Sequence, residues 1–475
     1  MNSMDKTPDQ PGALYAKQVK VYPKRITGTF RRIKWIVLSA VLGVYYLLPW
    51  IRWDRGENQP DQAVLADLVG QRLYVFNIEI WPQEVYYLTG LLVVGAIGLF
   101  LATAVAGRVW CGFTCPQTIW TDLFLLVERY IEGDRNTRMK LDQGPLTFAK
   151  AWRKTAKHVA WLIISLVTGG VAIFYFVDAP VALNDMLTGT ASTTVFSWVA
   201  IFTGITYLLA GWAREQVCTY MCPWPRFQGA MFDEHSLMVT YETWRGEPRG
   251  KAKNDTVGDC VDCNLCVNVC PVGIDIREGQ QFECIGCALC VDACASIMTK
   301  LNRPLGLIAY DSTANQMARE QGRPTSRHIV RPRTIAYTVM LVLVTILMAY
   351  GLMNRSVLEI NVQRDRAPLF VTLSSGEIRN GYTFKVLNMV NAPVTYRLSV
   401  EKLDDARLSV IGIADNPEHE VMLHVGPDQV GTFRVFVRAP LASLDDQFNK
   451  LEFVLRNADT GKEIEYDVTF AGPAR

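Results

Sequence analysis

Eight cysteines crowd the stretch "CVDCNLCVNVCPVGIDIREGQQFECIGCALCVDAC" between Cys260 and Cys294. Cys260, Cys263, Cys266 and Cys270 follow a C-x2-C-x2-C-x3-C spacing closed by Pro271, and Cys284, Cys287, Cys290 and Cys294 repeat it. This is the known run for two 4Fe–4S clusters. Three close cysteines wrap three corners of a cubane in one loop, and the fourth reaches across to the other cluster. Cys260, Cys263, Cys266 and Cys294 are therefore expected on one cluster, and Cys284, Cys287, Cys290 and Cys270 on the second. Gly286 and Ala288 are small enough to let backbone amides approach the sulfurs. Zinc favours four ligands in two separated pairs, which two x2-x2 runs fit poorly. Ala295 stands where the second run often carries proline; it loosens a turn and removes no ligand. The chemistry implied is one-electron transfer, which needs no substrate pocket.

The other four cysteines form two matching motifs. "RVWCGFTCPQTIW" holds Cys111, Cys115 and Pro116, and "REQVCTYMCPWPRF" holds Cys218, Cys222 and Pro223. A C-x3-C spacing puts both thiols on one face if helical, and the proline is expected to end or bend that helix. Each motif closes an apolar run and precedes a mixed segment (118–130 and 227–239), so the unit reads as an internal duplication that would bring both motifs together. Four soft thiolates would suit Cu(I) or a further iron–sulfur cluster. Reversible disulfide chemistry and plain packing at span ends stay open. Arg108 and Arg214 could hold thiolates by charge or snorkel to a membrane interface. Met221 is a candidate soft ligand, though a lone methionine more often packs.

These motifs need a scaffold. Five apolar runs, at 33–51, 85–106, 158–177, 196–213 and 334–353, are long enough to cross a bilayer. Lys and Arg crowd the segment before the first run (Lys17, Lys20, Lys24, Arg25), the loop after the second (Arg135, Arg138, Lys154, Lys157) and the segment between the fourth and fifth. The loop "DAPVALNDMLTGTASTT" has neither. By the positive-inside rule the tail (1–32) and segment 214–333 are cytoplasmic, four spans fill 33–213, the fifth is 334–353, and 354–475 is exported. A long basic tail without a small-residue cleavage site reads as an uncleaved anchor. All twelve cysteines then lie on, or at the membrane edge of, the reducing side. The ferredoxin-type α+β insert is expected at about 250–305.

Beyond 353 the pattern turns to short β-branched and aromatic runs such as "YTFKVLNMV", "VTYRLSV" and "LEFVLRN", separated by Gly, Asn, Asp and Pro. Seven or eight strands of this kind predict an immunoglobulin-like β-sandwich without the Cys–Trp–Cys hallmark. Met422 and His424 alternate along one strand face; copper ligation there is weighed against a structural role, which is favoured. A net charge of +2 over 475 residues gives no field for nucleic acid. No C-x-x-C-H or strand-borne G-x-G-x-x-G is present, so neither covalent haem nor a built-in nicotinamide domain is expected.

"GTFRRIKW" before the first span, two C-x3-C-P spans, a two-cluster insert, a last span and an exported sandwich together resemble the CcoG family, also called FixG or RdxA, of cytochrome c oxidase accessory proteins. The resemblance covers nearly the whole chain. It implies a bacterial inner-membrane protein with a periplasmic C-terminal domain that reduces Cu(II) to Cu(I) for cbb3-type oxidase assembly. Its partners would be the lipid bilayer, oxidase subunits or copper-delivery proteins, and a separate cytoplasmic electron donor. A homodimer stays open. A non-catalytic assembly factor with structural or redox-sensing clusters, and a conduit to or from quinone, are the competing readings; turnover of excess Cu(II) separates the first from a reductase.

Overall fold

A computed structural model describes residues 20–56, 59–251, 257–355 and 358–473; Lys17 and most of the expected tail lie outside them. The chain divides into two compact units, one of Met1–Asp54 with Pro60–Met348 and one of Arg55–Gln59 with Ala349–Arg475.

Among the described residues, five helices are long and apolar enough to span a membrane: Thr29–Trp50, Pro82–Ala106, Phe148–Ile173, Thr193–Ala213 and Pro332–Met353. They leave Ile36, Leu92, Ile163, Ile205 and Leu343 exposed. Water would penalise that surface, whereas lipid would not, and helices satisfy their own backbone groups within it. The third helix starts well before the expected 158. Thr147 caps it by accepting from the Lys150 N–H at 3.2 Å. Lys154 and Lys157, which read as the charged limit of a span, instead ride its first turns and pair with Glu132 at 3.0 and 3.2 Å. The Lys- and Arg-free loop is also structured. Asp178 accepts from the Val181 N–H and starts a helix at Ala179–Thr188, which ends at left-handed Gly189. Between the first two spans lies an antiparallel three-stranded sheet, Val64–Asp67, Arg72–Val75 and Ile78–Ile80, which the sequence reading did not include.

The cysteine-rich region is built on two short helices, Leu265–Val269 and Leu289–Lys300. Each follows a loop with two left-handed residues at matching places, Asp262 and Asn264 in one, Gly286 and Ala288 in the other. Asx and Gly residues tolerate that conformation; Ala288 does so at a cost of order 1 kcal/mol. Strands Met238–Tyr241 and Ile308–Asp311 pair antiparallel and extend this fold beyond 250–305.

The second unit is a two-sheet sandwich. One sheet orders Ala414–Glu418, Arg407–Val410, Gln429–Ala439, Ile378–Asn388 and Leu358–Arg364, with Val371–Thr372 on Ile378–Asn388; the other orders Glu420–Val425, Val394–Glu401, Phe448–Asn457 and Glu463–Ala471. Among the described residues ten strands replace the seven or eight expected. Arg407–Val410 is short, and Ala414–Glu418 carries Pro417, which an edge strand tolerates. Tyr382, Phe384, Phe453 and Phe470 are fully buried between the sheets. The Tyr382 hydroxyl donates to the Thr469 carbonyl of the facing sheet at 3.0 Å, so the core's polar tip is satisfied without a disulfide.

Candidate metal centre

Two small cavities divide the eight clustered cysteines. Cys260, Cys263, Cys266 and Cys294 line the first. Cys270, Cys284, Cys287 and Cys290 line the second, with Cys266 reaching its wall too. In each run two thiols come from the loop and the third, Cys266 or Cys290, from the first turn of the helix that follows; the fourth, Cys270 just after the first helix or Cys294 within the second, lines the other cavity. The remaining walls are mostly apolar, with Leu307 and Ile308 in the first beside Asn264 and Arg277, and Val239 and Ile285 in the second. Backbone N–H groups of Val272 and Gly286 point at Cys270 and Cys284, and that of Ile308 points at Cys294.

Burial pushes the Cys266 and Cys270 thiols up to about 12 and Cys284 and Cys294 up to about 11. Metal would have to displace those protons. Among the described residues no group of His, Cys, Asp or Glu closes around a point for one ion. A cubane holds its ligands at four corners and asks for an open cradle instead. Four soft donors, mostly apolar walls and converging amides fit that group. Arg277, which the sequence reading passed over, braces the first loop: it is bonded to Asp262 at 2.7 Å, to Asp275 at 2.6 Å and to the left-handed Asn264 at 2.5 Å.

The two C-x3-C-P motifs adopt the same local geometry. Each begins with a π-helical turn, Trp110–Thr114 or Val217–Met221. The Cys115 N–H donates five residues back to Trp110 at 2.8 Å, and the Cys222 N–H to Val217 at 2.7 Å. Each π-turn ends just before its proline, at an extended Cys115 or Cys222, and the proline also starts the next helix. Pro116 opens the helix Pro116–Ile131, and Pro223 caps Trp224–Met231. Pro suits a helix start because the N–H it lacks would be unpaired there anyway.

The copies touch. The Cys111 thiol donates to Gln228 Oε1 at 3.3 Å, and Gln117 Nε2 donates to the Leu209 and Arg214 carbonyls at 2.8 and 3.1 Å. Burial, then Cys115, push Cys111 up to about 12, with Cys218 and Cys222 adding to the rise; burial likewise pushes Cys218 to about 12. Cys111 and Cys218 pack against the buried cluster that holds Ile285, Cys287 and Leu289 of the second cradle. Gly112 permits this approach, since a Cβ there would stand 3.0 Å from the Gly286 and Ile285 carbonyls.

The two arginines do something other than snorkel. Arg108 is buried and donates to the Cys284 carbonyl at 2.7 Å, to Pro225 at 2.9 Å, and to Phe282. It thereby ties the second cradle to the helix of the second motif. It also opposes the rise at Cys111, so the charge reading holds for it in that limited sense. Arg214 is buried too and grips Glu128, its Nη2 lying 2.6 Å from Oε1. Met221 is exposed. Met422 and His424 share the exposed face of their strand, and His424 Nδ1 is bonded to Thr395 at 2.9 Å.

Glu128 also takes Arg138 at 2.6 Å, and Lys157 lies 3.8 Å away. Burial alone would raise its carboxyl, but Arg214, Arg138 and Lys157 outweigh that and hold it below the usual range. Its contribution to stability is therefore complete above about pH 4.3, the ordinary glutamate value, and is lost as pH falls through the lower folded value. Glu128→Gln strands two buried cations, Arg138 and Arg214, while Lys157 keeps Glu132. We expect it to cost about 3–5 kcal/mol, read as a lower thermal midpoint in detergent at neutral pH; an unchanged midpoint would show that Glu128 does not anchor this region.

The comparisons follow this division. Residues 213–313 match the family model described as a 4Fe-4S dicluster domain, and 88–130 one described as a 4Fe-4S binding domain. Residues 348–473 match the IG-like fold at the C-terminus of FixG. Nitrogen fixation protein FixG of Rhizobium meliloti is 46% identical over 494 residues, covering 97% of this chain and 94% of that protein. The chain belongs to the FixG family. Two further FixG relatives come from Cereibacter sphaeroides: RdxB, 45% identical with 98% of this chain and 99% of that protein covered, and RdxA, 46% identical with 90% and 91% covered. Iron–sulfur-binding domains are joined here to apolar helices and an immunoglobulin-like fold.

Proposed function

We propose that this protein is a membrane-bound electron-transfer protein that reduces Cu(II) to Cu(I) at the thiols of Cys111, Cys115, Cys218 and Cys222. One cradle, Cys260, Cys263, Cys266 and Cys294, would hold one 4Fe–4S cluster, and Cys270, Cys284, Cys287 and Cys290 the other. Bound there, the clusters would supply one-electron transfer. The observation that carries the reading is the packing of Cys111 and Cys218 on the wall of the second cradle.

The chain's own residues supply the rest. Ile285 and Leu289 exclude water from the wall between cradle and thiols. Arg108 fixes the cradle's loop against the second motif through three carbonyls. Soft thiolates favour Cu(I) over Cu(II), so the site suits the product of the reduction. The Lys and Arg distribution supports a cytoplasmic face for cradles and thiols and a periplasmic sandwich. The electron donor is then a separate cytoplasmic partner, and Cu(I) passes to copper-delivery proteins or cbb3-type oxidase subunits.

A second reading has one specific observation in its favour. The 4Fe-4S binding match at 88–130 covers Cys111 and Cys115, so the four thiols would hold a third cluster. One experiment tests reduction and sidedness together. Inverted vesicles given reduced flavodoxin, an impermeant donor, and excess Cu(II) should form many Cu(I) per protein above vesicles lacking it, while right-side-out vesicles should not. Yield that stops near one electron per cluster, or activity only in right-side-out vesicles, would overturn the reading.

A further inference from the structure

Four arginines, Arg25, Arg31, Arg32 and Arg129, line one cavity of about 270 Å³, and no Asp or Glu is among its lining residues. Their charge is poorly compensated. Arg31 is 5% exposed. Its Nη1 pairs with Asp122, but Asp122 also takes Lys34 at 2.8 Å. Arg31 Nη2 and Arg129 Nε are buried without a hydrogen-bond partner. Among the described residues the side chains of Arg25, Arg32 and Arg129 show no carboxylate within ion-pair distance. Burial, and then Arg31, push Arg129 down to about 10; Asp122 and Asp134 oppose that fall and Arg138 adds to it. Arg31 is buried, Arg129 half-buried and Arg25 and Arg32 exposed; four like charges facing one cavity repel one another, and an anion bound among them would offset that repulsion.

The place of the cavity names the anion. It lies where the chain enters the first span at Thr29 and against the amphipathic helix Pro116–Ile131. Trp35 lies under the Arg31 guanidinium, 4.3 Å from ring to cation, and Tyr130 is 82% exposed. Trp and Tyr mark the level of lipid headgroups, and basic pockets at span ends take anionic ones. The arginine fork matches phosphate oxygens in pairs. The volume suits one phosphodiester headgroup, whose acyl chains could follow the exposed apolar face of the first span at Ile33 and Ile36.

We propose that this cavity binds the phosphate of an anionic phospholipid, and that the lipid completes the packing of the first span against the helix that follows Cys115. The proposal is independent of what the thiols reduce.

Full-length protein in detergent should retain phosphatidylglycerol over phosphatidylethanolamine by native mass spectrometry, and phosphatidylglycerol should raise its thermal midpoint. Replacing Arg25 and Arg129 together by Gln should weaken retention about 25-fold, at about fivefold per arginine, and abolish the midpoint rise. In lipid-free detergent the same variant should melt no lower than wild type, because it loses repulsion and breaks no ion pair. A purely structural role for these arginines would lower that midpoint. Equal retention of both lipids by wild type overturns the proposal, as does unchanged phosphatidylglycerol retention in the variant. So does protection by millimolar inorganic phosphate equal to that by the lipid, which would assign the cavity to a soluble anion.

Discussion

Replacing Cys111 and Cys115 together by Ser should abolish Cu(II) reduction while leaving the EPR signals of the two ferredoxin-type clusters nearly intact. The thiols line neither cradle, and serine keeps the size of the side chain. The π-turn is closed by backbone bonds, so the fold should persist. What disappears is half of the soft donor set, and hydroxyls do not hold Cu(I) as thiolates do. The Cys218 and Cys222 double variant should behave alike, because the copies meet through Cys111 and Gln228. Iron content distinguishes the two occupants of this site: it stays unchanged if the thiols receive copper and falls by about four per chain if they hold a cluster. Undiminished reduction in both double variants would return these cysteines to a packing role.

The second large effect concerns how the cradles share their ligands. Cys270 follows Cys266 by one turn of chain, yet it lines the other cavity. Cys270→Ala should therefore lose the same cluster as Cys284→Ala, and Cys294→Ala the same cluster as Cys260→Ala. Each single variant should drop iron from about eight to about four per chain, if only these two clusters are present. Combining Cys270→Ala with Cys284→Ala should cost no more iron than either alone, whereas adding Cys263→Ala to Cys270→Ala should empty both. Variants of Cys270 and Cys260 that lose one and the same signal would contradict this division.

What was legible in the sequence follows from range. The cysteine spacing encodes a loop and the start of the next helix, both local, and so could be read directly. Apolar runs of bilayer length are equally local. Partners set by the tertiary fold were not legible. Arg108 looked like an interfacial arginine because the carbonyls it holds belong to residues 225, 282 and 284. Lys154 and Lys157 looked like the limit of a span because nothing in their own segment announces Glu132. Gln228 carries no signal at all in a sequence, yet it is buried against Cys111. The prolines were half legible: each ends a helical turn as expected, but that it also starts the next helix depends on the segment beyond it.

The central claim is that the C-x3-C-P thiols are the outlet of the second cradle. The most direct test is to reduce purified protein anaerobically, remove the reductant, add two equivalents of Cu(II) per chain, one for each reduced cluster, and follow the reduced-cluster EPR signal by rapid freezing. Wild type should lose the signal as Cu(I) forms, and the Cys111 and Cys115 double variant should keep it. Equal loss in both would mean that electrons leave the chain by a route that bypasses these thiols.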